Sequence, residues 1–240
     1  VSGLANEALA AIFDNIISLR VSSFRLYRRR NFPLATHIAI ICGEECAKYL
    51  FEFCKEYLSP DVFKKRFQHL PKYRVLSAPW YIAGMLEVTY LMHLASRQGV
   101  LGDPKDHNLI LEDLLLFSGQ GSPQRVAEIL LQCLERNDDP AVELQTEDSI
   151  KTKENHRRTS VYVDVDDNGR IVGRPSDISK GDARRYLRDL IIAVAVIRFV
   201  SGSEPDIFTF VGSLPRDLRE PTKQYGSKMI TKARAAAAQT

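Results

Sequence analysis

The spacing of apolar residues predicts helices along most of the chain. From Leu4 to Arg30 they recur at Leu9, Ile12, Phe13, Ile16, Ile17 and Val21, the repeat of one helical face. Asn31-Phe32-Pro33 breaks the pattern, and Pro33 suits the opening of a second helix, 34–57. That helix is apolar in every direction. Ile38 to Cys42 cover its circumference before two acids arrive, and Cys46, Ala47, Tyr49, Leu50 and Phe51 cover it after them. A helix of this kind is normally buried, so it is expected at the centre of a bundle. Asp61 to Phe67 reads as a short amphipathic piece that leads into His69-Leu70-Pro71-Lys72. Ala78 to Ser96, Leu109 to Phe117 and Gln124 to Arg136 read as helices, Gly99 to Asp106 as a loop, and Ala141 to Arg157 as a solvated helix.

The period then changes. Ser160 to Val165 alternates, Asp167-Asn168-Gly169-Arg170 is a turn, and Ile171-Val172 resumes the alternation, which predicts one β-hairpin within 160–173. Ser179 is placed to cap a long helix from Lys180 to Val200, with a core run from Leu190 to Ile197. The fold class expected is mainly α, a helical bundle with one small β-hairpin. Residues 1–201 form the domain, and the Pro- and Gly-punctuated 202–240 reads as an irregular C-terminal extension. Helices 34–57 and 187–200 carry more apolar surface than one small core needs. Either a second copy of the chain or the segment Ile207 to Leu218 is expected to cover it.

Glu44 and Glu45 stand in the otherwise apolar second helix, with Lys48 one turn on and within reach of either. Ionised carboxylates in such surroundings are costly unless paired, hydrogen-bonded or bound to a ligand. Two readings follow: an ion pair that fixes helix register, or a polar site inside the bundle. In both, Glu44, Glu45 and Lys48 face inward.

Composition narrows the function. A net charge of +3 is too small to imply nucleic-acid binding by itself, but Arg20, Arg25, Arg28, Arg29 and Arg30 fall in a stretch without an acid, Asn15 to Gly43. Such an island can bind phosphates, or simply close a helix whose dipole favours cations there. Cys42, Cys46, Cys54 and Cys133 lack CxxC spacing and sit among apolar residues, so reduced thiols and a cytoplasmic setting are expected. The expectation includes no membrane partner: there is neither a long uncharged apolar run nor a leader-like segment after Val1. P-loop, dinucleotide and nucleophile-elbow motifs are missing, and no cofactor is expected. No metal is expected either, because Glu-x-x-His pairs on two helices are lacking and Lys48 adjoins the acids.

Three motifs in order resemble the AbiV-type abortive-infection proteins of bacteria and archaea, over about residues 4–200. Glu44-Glu45-x-x-Lys48 matches the family's Glu-Glu-x-Gly-Lys, with Ala47 where the Gly is usual. His69-x-x-Lys72 matches the second motif. Arg158, Tyr162, Val163 and Asp164, with Pro175 beyond, match the third. The resemblance implies a HEPN-like bundle, a class rich in metal-independent ribonucleases that usually work as dimers. It implies an anti-phage role, with RNA and a phage or host trigger protein as partners. The common HEPN pattern of Arg, four to six residues, then His is met by Arg30 and His37, across the break at Pro33.

Chemistry gives the recognised residues expected roles. Metal-free RNA cleavage needs a base, an acid and positive charge at the phosphate. His69 is the natural proton carrier, Glu44 or Glu45 would orient it, and Lys48 and Lys72 would hold the phosphate. Arg30, His37, Arg158, Tyr162 and Asp164 are further candidates, although Tyr162 and Asp164 could simply seal the bundle. RNA would run along Arg20, Arg25, Arg28, Arg29 and Arg30 of two protomers. The competing reading is a non-catalytic defence protein that binds a host or phage factor and whose ion cluster is structural.

Overall fold

The computed structural model describes residues 3–97, 123–135, 147–165, 167–202 and 207–214. The expected loop 99–106 and helix 109–117 lie outside these residues. Helix α1 (Gly3–Arg28) is followed by a turn in which Arg30 takes a left-handed φ of 60°. Asn31 then caps α2 (Phe32–Phe53), its side chain accepting from the Leu34 N–H, with Pro33 in the first turn where a missing N–H costs nothing. As expected, α2 is the central helix. It packs against α1 along much of its length, and most of its residues from Ala35 to Phe51 are buried.

After a 3₁₀ turn at Lys55–Tyr57, Ser59 caps the short α3 (Pro60–Lys64), and a second 3₁₀ turn covers Lys65–Phe67. The segment from His69, read from sequence only as a motif, is a helix, α4 (His69–Val75). Pro71 hid it. The ring falls in the first turn, where the backbone N–H has no intrahelical partner, so the helix tolerates it. Gly43 lets α4's C-terminal end approach α2 closely, since a Cβ there would lie 3.1 Å from Leu76 Cδ1.

Helices α5 (Ala78–Arg97), α6 (Pro123–Glu135) and α7 (Glu147–Thr159) continue the bundle. Strands β1 (Asp164–Val165) and β2 (Ile171–Gly173) form an antiparallel hairpin, with Asp164 opposite Gly173 and Val165 opposite Ile171. Gly169 at φ 74° supplies the left-handed turn position that Asn-Gly promised. The hairpin is shorter than its sequence pattern. Ser160 N–H still donates to His156 O, and Val161 and Tyr162 N–H to Arg158 O, so these residues finish α7 instead of starting a strand. Val161, Tyr162 and Val163 are exposed, and their alternation reflects no strand.

Ser179 and Asp182 cap α8 (Lys180–Val200) reciprocally: Asp182 N–H donates to Ser179 Oγ at 3.1 Å, and Ser179 N–H to Asp182 Oδ2 at 3.0 Å. Helix α8 lies against α2 and α5. The C-terminal segment expected to be irregular contains a further helix, α9 (Ile207–Ser213), which packs on α5 and α8. Phe210, Val211 and Leu214 are buried there, and the Phe210 ring meets Phe199 edge-on at 5.4 Å. This helix covers part of the apolar surface that suggested a second protomer.

All four cysteines are free and buried. Burial pushes the Cys54 thiol well up, and the Cys42 hydrogen bond does the same for Cys46, so neither forms a thiolate readily. No helix among the described residues is long and apolar enough to cross a membrane.

Candidate functional site

The adjacent acids of α2 part company. Neighbouring positions on a helix point about 100° apart, and here each meets a different helix. Glu44 turns toward α4 and is 7 % exposed. Glu45 turns toward α1, accepting from Asn15 Nδ2 at 3.1 Å and pairing with Lys48 Nζ at 3.6 Å. Both Glu45 and Lys48 are only partly buried, with side chains 18 % and 33 % exposed. The single inward-facing cluster of Glu44, Glu45 and Lys48 is therefore two separate arrangements. The physical reason is the angle between consecutive residues, which places one acid in the α2–α4 seam and the other in the α1–α2 seam.

Glu44 is the hub of the site. Residues 69, 72 and 73 share one face of α4, and all three reach it. His69 Nδ1 lies 2.9 Å from Glu44 Oε1, Tyr73 Oη donates to the same oxygen at 2.9 Å, and Lys72 Nζ stands 3.7 Å from Oε2. An ionised carboxylate only accepts, so Nδ1 carries a proton, and in the neutral ring the lone pair is on Nε2. The His69 side chain is 49 % exposed, while those of Glu44 and Lys72 are 9 % and 11 % exposed. A buried acid thus steers a histidine that faces water.

Tyr73 carries the network on to α7. Its hydroxyl also lies 3.1 Å from Glu154 Oε2, so one phenolic proton serves two carboxylates. Burial, reinforced by both acids, pushes its ionisation far up and keeps it a donor. Arg157 grips Glu154 through Nε at 3.0 Å and Nη2 at 2.7 Å, and this hydrogen bonding holds the Glu154 carboxyl below its usual range. Lys153, buried beside them, lies over the Tyr73 ring at 5.7 Å, and burial lowers its ammonium pKa. Sequence reading missed Tyr73, Lys153, Glu154 and Arg157. Two signals were present: Tyr73 follows His69 by one turn, and Glu154 and Arg157 have ion-pair spacing on one helix.

Beside His69 the surface opens into a depression lined by Lys65, Gln68, His69, Leu70, Pro71, Arg74 and Glu154. Neither Lys48 nor Lys72, the expected phosphate holders, lines it. Lys72 is instead committed to Glu44, and Lys65 and Arg74 are the cations at the opening.

The remaining candidates lie elsewhere. His37 sits two turns before Glu44 on α2, its Nδ1 3.1 Å from Arg157 O and 3.2 Å from Ser160 Oγ. Donation to that carbonyl fixes its tautomer and ties α2 to the end of α7. Arg30 is exposed in the preceding turn, and with the described residues its side chain makes no hydrogen bond or ion pair, to His37 or otherwise. Arg25, Arg28 and Arg29 are exposed as well. Arg20 is half-buried, packs on Phe24 at 5.9 Å, and has its pKa lowered by burial and by nearby Arg198. Tyr162 is 68 % exposed, and the carbonyl of Arg158 holds its backbone N–H. Asp164 pairs in the hairpin through its backbone, and its side chain lies outside the described features. Among the described residues no group of His, Cys, Asp and Glu is arranged to hold a metal.

The site is thus built where a central buried helix supplies one acid to a short helix that carries a histidine, a lysine and a tyrosine. The family model described as AbiV matches residues 4–191, and the chain belongs to that family. Its membership implies a role in abortive infection against phage. No curated protein and no solved structure matches the chain.

Proposed function

We propose that the protein acts in phage defence as a metal-independent ribonuclease whose proton carrier is His69. One observation carries this reading: a half-exposed histidine bordering an open depression, whose lining includes Lys65 and Arg74 as well as Glu154, has its Nδ1 held at 2.9 Å by a buried carboxylate. That arrangement leaves Nε2 facing outward as a base and sets an acid behind the ring to stabilise the imidazolium that forms. In the proposed step, Nε2 takes the proton of a ribose 2′-hydroxyl, and the 2′-oxygen attacks the adjacent phosphorus. The bond to the 5′-oxygen breaks, and that oxygen takes a proton from water. The imidazolium then returns its proton to solvent. Lys65 and Arg74 offset the charge that builds on the phosphate oxygens. The products are a 2′,3′-cyclic phosphate and a 5′-hydroxyl.

The competing reading, a non-catalytic defence protein that binds a host or phage factor, draws on the near-complete burial of Glu44 and Lys72, which suits a structural ion pair. Phage plaquing on cells expressing wild type and His69→Ala, paired with cleavage of RNA by the purified proteins in EDTA, separates the two. The ribonuclease reading expects both protection and cleavage to fall in His69→Ala. Full protection without any metal-free cleavage would favour the binding reading. A homodimer belongs to the same proposal, because it would set the exposed Arg25, Arg28, Arg29 and Arg30 of two chains along one groove.

A further inference from the structure

The chain just before His69 holds an aromatic ring in an unusual position. Phe67 is 68 % exposed, yet it is not loosely placed. The Arg66 guanidinium lies 4.1 Å from its ring centroid and 3.6 Å from that of Phe63, so the three groups stack with the cation in the middle. Arg66 is itself anchored: Nη1 donates to Phe63 O at 3.0 Å, and Nε is 3.0 Å from Glu52 Oε1. One side of the Phe67 ring is therefore backed by a fixed, planar cation, and the ring is presented to solvent. An exposed phenyl group gains nothing from water, and such a ring is suited to accept a flat partner.

The neighbours of Phe67 say what kind of partner. Lys65, Gln68 and His69, on either side of it in the chain, line the depression proposed to receive RNA, together with Arg74. A base stacked on the ring would bring its own sugar and phosphate toward cations and the histidine. Stacking of this kind needs an unpaired base, because a base in a duplex already has both faces covered. We infer that Phe67, backed by Arg66, is a base-stacking platform that positions single-stranded RNA beside His69. This rests on the ribonuclease reading of the same site, and it makes unpaired RNA the substrate class.

Fluorescence anisotropy with the full chain tests it. All proteins carry His69→Ala to prevent cleavage, and the probes are a labelled mixed-sequence 12-mer RNA and the same strand annealed to its complement. Phe67→Ala and Phe67→Leu should each weaken binding of the single strand by about five- to one-hundred-fold. Phe67→Trp should preserve it, with tryptophan emission quenched as RNA binds. Duplex affinity should change little in any variant. Because Phe67 is exposed, folding should be unaffected, which circular dichroism confirms. Unchanged single-strand affinity in the Ala and Leu variants would overturn the platform while leaving the ribonuclease reading intact. Equal losses for single strand and duplex would overturn it too. Failure of the Phe67-intact protein to bind either RNA would overturn both. Loss of phage protection when Phe67→Ala is placed in the chain with His69 intact, together with unchanged RNA affinity in the anisotropy assay, would assign the ring to a protein contact and reject base stacking.

Discussion

Replacing Glu44 with Gln keeps the volume of the side chain and removes its charge, and the structure sets what should follow. The amide oxygen that replaces the carboxylate can still accept from Tyr73 or His69, but Lys72 Nζ, 3.7 Å from Oε2 and with a side chain 11 % exposed, loses its counter-charge. Breaking a buried pair by removing one member typically costs about 3–5 kcal/mol. The long 3.7 Å separation and the solvent exposure of His69 beside it argue for the lower end of that range or somewhat below it. The expected loss is about 2–4 kcal/mol, which for a chain of this size lowers Tm by about 4–16 °C. Glu45→Gln is the internal comparison. Its pair with Lys48 is partly exposed, and about 0–1 kcal/mol is expected. Urea unfolding followed by circular dichroism at 222 nm measures both. Adding Lys72→Met to Glu44→Gln should recover part of the loss, because no unpaired buried charge remains. Equal effects of the Glu44 and Glu45 substitutions, or a double variant worse than the sum of its singles, would refute the reasoning.

Acidification should destabilise the bundle through His156. Burial lowers its pKa below 6.5, so below about that pH the unfolded chain binds a proton that the native chain resists. The Tm of wild type should therefore fall between pH 7 and pH 5, and His156→Gln should flatten that slope; equal slopes in thermal melts would reject it. Glu154, whose carboxyl is held low by Arg157, adds a loss only further down, as pH drops below 4.5. Phe210→Ala should cost about 3–5 kcal/mol in urea unfolding, as for a core phenylalanine. A loss under about 1 kcal/mol would return α9 to the status of an appendage. Size-exclusion chromatography with light scattering at micromolar concentration should give twice the 27.1 kDa chain mass, and a stable species at 27.1 kDa would reject the shared groove.

The parts of this fold legible in the sequence are those decided locally. The position of α2 followed from its all-round apolar surface, the start of α8 from Ser179, and the hairpin turn from Asn168-Gly169. The errors have local causes as well. Pro71 masked α4, and the alternation of Val161 to Val163 imitated a strand. The site was legible as a set of residues but not as a geometry. Which of two adjacent acids faces the histidine depends on which helices flank α2, and the chain pattern does not contain that. Glu44 meets His69 across 25 positions, and Tyr73 meets Glu154 across 81. Contacts of that range are set by how helices pack, so the helical spacing of Tyr73 to His69 and of Glu154 to Arg157, though visible in the chain, did not show that the two pairs meet. Lys48 and Lys72 looked equivalent as phosphate holders, and packing shows that Lys72, like Lys48, is spent on a carboxylate.

The end chemistry of RNA treated with purified protein in EDTA tests the central claim most directly, that His69 held by Glu44 is a working proton carrier. Wild type should yield fragments with 2′,3′-cyclic phosphate and 5′-hydroxyl ends, and His69→Ala should lower their rate by about a hundred-fold or more. Equal rates from wild type and His69→Ala, or fragments carrying 5′-phosphates and 3′-hydroxyls, would contradict it.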